Sequence, residues 1–327
     1  PTVKSKLLHS LREALEAAGL QDGMTVSFHH HLRNGDYILN LVLEEAARMG
    51  IRNLTVNASS LFDIHMPLVG HIRNGVVTRL LTDYVSGGIG RHISSGILSE
   101  PVEFRSHGTR AADIAAGRTP IDVAFVAVPA ADCRGNATGK LGAAACGSLG
   151  YAIPDAMYAK KVVVLTDTLL PYPLPDWAIS ENWVDYVVQV DAIGDPKGIL
   201  SGTTRITRDP VGLVMADTAA QVIAASGLLQ DGFSFQTGAG GASLAAAASL
   251  KEIMLRDNIQ GSFALGGITG YLVEMLRAGC FRQLMDVQCF DLDAVASIRD
   301  DPRHREISAG HYAAPGTRGA VVDSLDV

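Results

Sequence analysis

Apolar residues fall along this chain in two alternating patterns. Short, nearly continuous apolar runs predict buried strands at MTVSF (24–28), Ile51–Val56, DVAFVAV (122–128), Lys161–Leu165, Val184–Val190, FSF (233–235) and Ile259–Ala264. Longer stretches with apolar residues every third or fourth position predict amphipathic helices at PTVKSKLLHSLREAL (1–15), YILNLVLEEAARMG (37–50) and LAAAASLKEIMLRD (244–257). LPYPLPDW (170–177) is Pro-rich and reads as an irregular loop. Strands alternating with helices imply a mainly parallel sheet covered on both faces.

The same pattern occurs twice. Leu20-Gln21-Asp22-Gly23 returns as Leu229-Gln230-Asp231-Gly232, and each copy is followed by a strand, a Gly-bearing loop, a long helix and a second strand. Ile72-Arg73-Asn74-Gly75 matches Leu276-Arg277-Ala278-Gly279, and Ile121-Asp122-Val123 matches Leu325-Asp326-Val327, both pairs 204 residues apart. Self-similarity on this scale predicts a duplicated α/β domain, at 1–208 and 209–327, rather than a solenoid, whose repeats run ~20–50 residues. The second copy stops where the first continues into AFVAVP, so it is expected to lack roughly 70 residues and the chain to be part of a longer protein.

Composition narrows the class. Hydrophobic residues make up 47% of the 327 positions and no apolar run is bilayer-length, so no membrane span is expected. The net charge of −7 without a basic block argues against nucleic acid as a partner. Four scattered cysteines, with no C-x-x-C spacing, suit a reducing cytoplasm.

Candidate chemistry gathers where strands end. SFHHHLRNGD (27–36) follows the first strand and holds His29, His30 and His31. Neighbouring strand residues point to opposite faces, so the three cannot converge on one metal, and no metal site is expected. Two readings stay open: one packed histidine beside two polar ones, or contact with a substrate at the strand's carboxyl end. The second copy's loop, QTGAGGAS (236–243), brings Gly238, Gly240 and Gly241 before a helix, a cradle of backbone donors for an oxyanion. Ser59 and Ser60, His107-Gly108 and Gly147-Ser148 stand in three further loops, with Thr109 expected to cap the helix after His107. Cys146 reads as a buried structural thiol.

GMTVSFHHHLRNGD, PVEFRSHGTRAADI, IDVAFVAVPAADCRGN, ACGSLGYAIPDA, FSFQTGAGGASLA and FALGGIT together resemble the citrate lyase alpha-chain family of the CoA-transferase superfamily, from residue 6 to 327. The resemblance implies two similar CoA-transferase-like domains, the second incomplete here. It implies an activity that exchanges acetate for citrate on a thioester, as part of citrate lyase. The thiol would belong to the CoA-like prosthetic group of a gamma (acyl-carrier) subunit, or to acetyl-CoA, with no tightly bound cofactor. A beta (lyase) subunit would cleave the citryl thioester to oxaloacetate, in a cytoplasmic complex containing a homo-oligomer of this chain.

On this resemblance Gln236, Thr237, Gly238, Gly240, Gly241, Gly266 and Gly267 line the thioester, with Gly238, Gly240 and Gly241 stabilising the developing oxyanion. His30, Arg33, Asn34, Ser59, Ser60, His107, Gly108, Gly147 and Ser148 are candidates for citrate. The superfamily's Gln-Gly-Thr segment is matched by Ser106-His107-Gly108-Thr109. One departure stands out: Ser180-Glu181-Asn182 imitates the nucleophile segment of many CoA-transferases, but Trp183 follows it and it lies late in the first copy. It is read as a decoy, and attack is expected within a ternary complex. Competing classes are a non-catalytic scaffold that docks the carrier, a sugar-phosphate isomerase, and a nucleotide-dependent oxidoreductase. The isomerase would need an acid/base pair at the first sheet's edge, and none is evident. The oxidoreductase is discounted because Ser243 replaces the third glycine of its fingerprint.

Overall fold

The computed structural model describes residues 4–200, 205–314 and 319–327. Its first part runs β1 (Leu7–Leu8), α1 (Leu11–Ala17), β2 (Thr25–Phe28), α2 (Ile38–Arg48), β3 (Leu54–Ala58), α3 (Pro67–Arg73), β4 (Val77–Thr82), α4 (Gly87–Ser94), β5 (Glu103–Phe104), α5 (His107–Ala115) and β6 (Val123–Val128). It continues through β7 (Ala130–Asp132), β8 (Ala137–Thr138), α6 (Ala152–Tyr158), β9 (Lys161–Thr166), β10 (Leu169–Leu170) and β11 (Tyr186–Gln189). After α7 (Pro210–Ala225) come β12 (Ser234–Gln236), α8 (Gly241–Asp257), β13 (Gly261–Ile268), α9 (Gly270–Arg277), β14 (Phe281–Cys289), α10 (Leu292–Asp300), β15 (His304–Glu306) and α11 (Ala309–Ala313).

Eight strands form one parallel sheet in the order β1-β11-β9-β6-β2-β3-β4-β5, and β12-β13-β14-β15 form a second parallel sheet. Strands β10, β7 and β8 make a small third sheet. The centre of the large sheet follows from sequence: every residue of VAFVAV in β6 is buried, as a parallel strand covered on both faces requires.

The β2-to-α5 and β12-to-α11 segments have the same element order, and the repeated residues do the same work in each. Gly23 (φ +81°) and Gly232 (φ +86°) occupy left-handed turns that suit glycine. Asp22 accepts a hydrogen bond from Arg52 N at 2.7 Å, and Asp231 accepts one from Gln260 N at 2.9 Å. Asp122 accepts from Thr25 N at 2.8 Å and Asp326 from Ser234 N at 2.9 Å, locking both onto the first strand of their copy.

Some expected elements differ. The opening helix pattern divides: Leu7–Leu8 pair with β11, and the helix starts only at Leu11, after Ser10 accepts a hydrogen bond from Glu13 N. Residues 1–3 of that pattern lie outside the described residues. The strand expected at Ile51–Val56 runs instead from Leu54, because Asn53 takes a left-handed conformation (φ +60°). The pattern assigns nothing to 210–225, which folds as α7 with Val211, Val214, Met215 and Val222 each more than 60% exposed. No described helix is long and apolar enough to cross a membrane.

Candidate functional site

The large sheet changes direction between β2 and β6: β3, β4 and β5 extend one way from β2, and β9, β11 and β1 the other way from β6. A crevice at the carboxyl ends of strands flanking such a reversal is where open parallel sheets hold ligands. His29–His31 leave β2 at this point. All three are buried, so the reading of one packed and two polar histidines does not hold. The alternation does persist. His29 and His31 lie together with ring centroids 4.2 Å apart, while His30 turns to the other side. His29 Nε2 accepts a hydrogen bond from Ala127 N on β6 at 2.9 Å, which ties the loop across the reversal. Burial, and then His31, hold the His29 ring well below the usual imidazole range, and burial takes His31 down to about 3. Both rings are neutral packing partners.

His30 enters a polar cluster assembled from four strand ends. Its Nδ1 lies 2.5 Å from Ser59 Oγ, at the end of β3. Its ring stacks against Tyr151 at 5.2 Å and His107 at 5.7 Å, with Phe62 at 6.2 Å. His107 opens α5 beyond β5, and its Nδ1 is 2.7 Å from Asp83 Oδ2 at the end of β4. An imidazole–carboxylate pair therefore does stand at this sheet edge, contrary to the expectation of none. Burial foremost, then the neighbouring His107, His31 and Arg33, hold His30 well below its usual range. Arg33 adopts a left-handed conformation (φ +52°), uncommon for a side chain of its size. Its guanidinium lies 5.5 Å from the Phe62 ring and 4.8 Å from Phe290. Arg33 Nε has no hydrogen-bond partner among the described residues.

The second sheet closes on this cluster. Gln288 Nε2, from β14, donates to His30 O at 3.0 Å. Tyr312 packs against the apolar group that includes Tyr151, and it also stands beside Gly266 and Gln236. Gly266 (φ +111°) sits at a register shift in β13, where a side chain would strain the backbone. A side chain at Gly267 would run into the Phe290 ring. Gly240 is the N-cap of α8 and no side chain caps that end. Among the described residues, a side chain at Gly238 or Gly240 would meet only Ser243, whereas one at Gly241 would press on the backbone of Arg205. Thr237 Oγ1 donates inward to Ser243 O at 3.2 Å.

Other expected site residues are committed elsewhere. Asn34 Oδ1 accepts from Ile64 N at 3.0 Å, holding the loop after β3, and Ser60 Oγ donates to Ser59 O at 2.7 Å. Gly108 faces the backbone of Ala313, where α5 meets α11, so its lack of a side chain serves helix contact. Gly147 meets Cys289, and Ser148 Oγ donates to Asp286 O at 2.8 Å, so this loop docks on the second sheet. Glu306 accepts from Leu149 N in the same joint. The helix after His107 is capped by Ser106, which accepts from Thr109 N, rather than by Thr109. Cys146 is buried, and burial raises its thiol far above the usual range. Glu181 pairs with Arg134 at 2.7 Å, a structural role.

Among the described residues, Asp286, Cys289 and His304 form a buried group that metal ions sometimes occupy. Here they satisfy one another: Asp286 Oδ2 is 2.9 Å from Cys289 Sγ and 3.1 Å from His304 Nε2, and His304 Nδ1 is 3.0 Å from Ser297 Oγ. Sequence reasoning missed Asp83, Tyr151, Gln288, Phe290 and Tyr312. Only Tyr151 had a signal, since it ends the small-residue run ACGSLGY; the others become visible only when strands are paired.

Two parallel α/β sheets packed together at the carboxyl ends of their strands define a CoA-transferase-like fold. A 4-hydroxybutyrate CoA-transferase from Porphyromonas gingivalis has this fold, at a TM-score of 0.59 and 17% identity, covering 94% of this chain and 68% of that one. The chain belongs to the citrate lyase alpha subunit (CitF) family, whose model matches residues 4–327. It is 49% identical to the citrate lyase alpha chain of Haemophilus influenzae over 98% of its own length and 64% of that protein's. It is 51% identical to the Escherichia coli citrate lyase alpha chain, over 98% of its length and 63% of that protein's. A crystal structure of a citrate lyase alpha subunit from Streptococcus mutans, in complex with citrate, superposes with a TM-score of 0.95 at 49% identity, covering 99% of this chain and 64% of that one. The chain thus spans less than two thirds of the length of the curated relatives it matches.

Proposed function

We propose that the protein containing this chain is the citrate CoA-transferase subunit of citrate lyase, working with a lyase subunit and an acyl-carrier subunit in the cytoplasm. It exchanges acetate for citrate on the carrier's CoA-like thioester. The observation that carries this reading is the cluster of His30, His107, Ser59, Arg33 and Tyr151 at the reversal of the large sheet, in a chain of this family. We read residues 1–208 and 209–327 as its two related domains, with the reacting groups meeting between them.

In this reading a citrate carboxylate attacks the acetyl thioester carbonyl, negative charge gathers on the carbonyl oxygen, and the C–S bond breaks to expel the thiolate and leave a mixed anhydride; the thiolate then attacks the citryl carbonyl of that anhydride, and acetate leaves. Backbone N–H groups at the uncapped start of α8, around Gly238, Gly240 and Gly241, receive that charge without reorganising. Each such donor lowers a barrier by up to ~3–4 kcal/mol. Gln236, Thr237, Gly266 and Gly267 shape the path of the thioester arm. Arg33 and His107 supply donors to citrate's carboxylates, and neutral His30 with Ser59 forms a polar wall. Asn34, Ser60, Gly108, Gly147 and Ser148 support these groups from outside the cluster. The test mixes the complete alpha subunit with acetyl-CoA and citrate and measures free acetate. Citrate-dependent acetate release supports exchange; carrier binding without release points to a scaffold.

A further inference from the structure

His30 and His107 stack at 5.7 Å, yet their surroundings differ. His30 is 5% exposed and its Nδ1 meets a hydroxyl, Ser59 Oγ. The His107 side chain is 38% exposed, and its Nδ1 meets a carboxylate that is 2% exposed, Asp83. The two partners come from adjacent strands: Asp83 follows β4 and His107 follows β5, which pair in parallel. This places Nδ1 against a buried carboxylate and leaves Nε2 as the ring's other polar atom. The other groups around the pair are His30 from the β2 end, Tyr151 before α6, and Arg110 one turn along α5. Arg110 is already engaged by both oxygens of Asp155 at 2.8 Å and by Asn57.

We propose that Asp83 is a positioning residue: by accepting the Nδ1 proton of His107 it fixes that ring's tautomer and direction, so that Nε2 meets the incoming carboxylate substrate. The proposal rests on the citrate reading above and adds to it the residue that makes the two neighbouring imidazoles unequal. An imidazole free to rotate presents either nitrogen, and only one orientation serves a ligand in the cleft. A carboxylate behind the ring removes that freedom and strengthens its hydrogen bond to an anion in front. Asp83 acts only through His107, which predicts a specific coupling. Removing the carboxylate should matter when His107 is present and be silent when it is absent.

The experiment is a double-mutant cycle on the complete alpha subunit, using Asp83→Asn, His107→Gln and the pair, with citrate affinity measured by calorimetry. Urea midpoints confirm folding, and Asp83→Glu serves as the conservative variant. We expect Asp83→Asn to weaken citrate about tenfold or more. Asp83→Glu should recover part of that loss, and the pair should bind no worse than His107→Gln alone. Independent losses that multiply in the pair, or Asp83→Asn binding like the parent, overturn the proposal. Nitrogen-15 spectra of the ligand-free histidines read the tautomer directly. The His107 Nδ1–H signature should be present in the parent and lost in Asp83→Asn. If the parent fails to bind citrate, the citrate reading falls while these spectra still decide the role of Asp83: an unchanged tautomer overturns it.

Discussion

Replacing Glu306 by Gln should make the protein more stable at alkaline pH and change little in mild acid. Glu306 lies on β15, accepts from Leu149 N, and has Ser148 Oγ 3.5 Å away, at the joint between the two sheets. Burial foremost, partly offset by the Leu149 N–H and Lys140 and reinforced by Asp286 and Asp176, raises its carboxyl from the ordinary 4.5 to about 7. A raised carboxyl pKa means that the folded state holds a proton the unfolded chain has released. Stability from this group is therefore complete below pH 4.5 and is lost as pH rises to about 7. At 1.36 kcal/mol per pH unit the full loss is roughly 3 kcal/mol, an upper value because solvent reaches part of the groove beside Glu306. Gln keeps the acceptor for Leu149 N without the charge. Urea unfolding at pH 5, 6, 7 and 8 reads the effect, with Trp177, which lines the same groove, as a fluorescent reporter. The advantage of the variant should be small at pH 5 and grow to about 2–3 kcal/mol at pH 8. Parallel curves for the two proteins would refute the reasoning.

Arg110 and Asp155 form a bidentate pair 3% and 1% exposed, so Asp155→Asn strands a buried cation and should cost about 3–5 kcal/mol in urea unfolding. Replacing both, Arg110→Met with Asp155→Leu, should recover much of that loss; an equally unstable double variant contradicts the assignment. Among the described residues the methyl of Gly240→Ala meets only Ser243 Oγ, 3.9 Å away, so the cost in urea unfolding should be that of alanine at an N-cap, about 1 kcal/mol or less. The variant should nonetheless slow acetate release about tenfold or more, and unchanged release would remove the glycine loop from the oxyanion role. Gly267→Ala pushes on Phe290, which covers Arg33, and should cost about 1–3 kcal/mol with weaker citrate binding, seen by calorimetry alongside unfolding.

Much of the fold was legible because parallel strands covered on both faces write themselves as apolar runs; β2, β6 and β9 are examples. The repeat was legible because Asp22-Gly23 and Asp231-Gly232 perform one backbone task twice. The edge strand β1 was not, since it contributes two residues inside a helix-like pattern and its pairing is set by distant β11. For the site, His30 and His107 stood out as histidines at strand ends, but Asp83 did not. An acid after a strand is unremarkable until β4 lies beside β5. Gly147 and Ser148 show the converse: a small-residue turn looks the same in sequence whether it faces a ligand or another sheet. Ser106 and Thr109 are both cap-type residues three apart, and the chain turns helical at His107, so Ser106 caps and Thr109 supplies the N–H.

The central claim is tested most directly by following both products of one turnover. The complete alpha subunit is mixed with acetyl-loaded acyl carrier and citrate in the absence of the lyase subunit. Exchange predicts one free acetate for each citryl thioester on the carrier, lost in His107→Gln and slowed in Gly240→Ala while both variants stay folded. Acetate release that needs no citrate, or no citryl thioester on the carrier, would contradict the account.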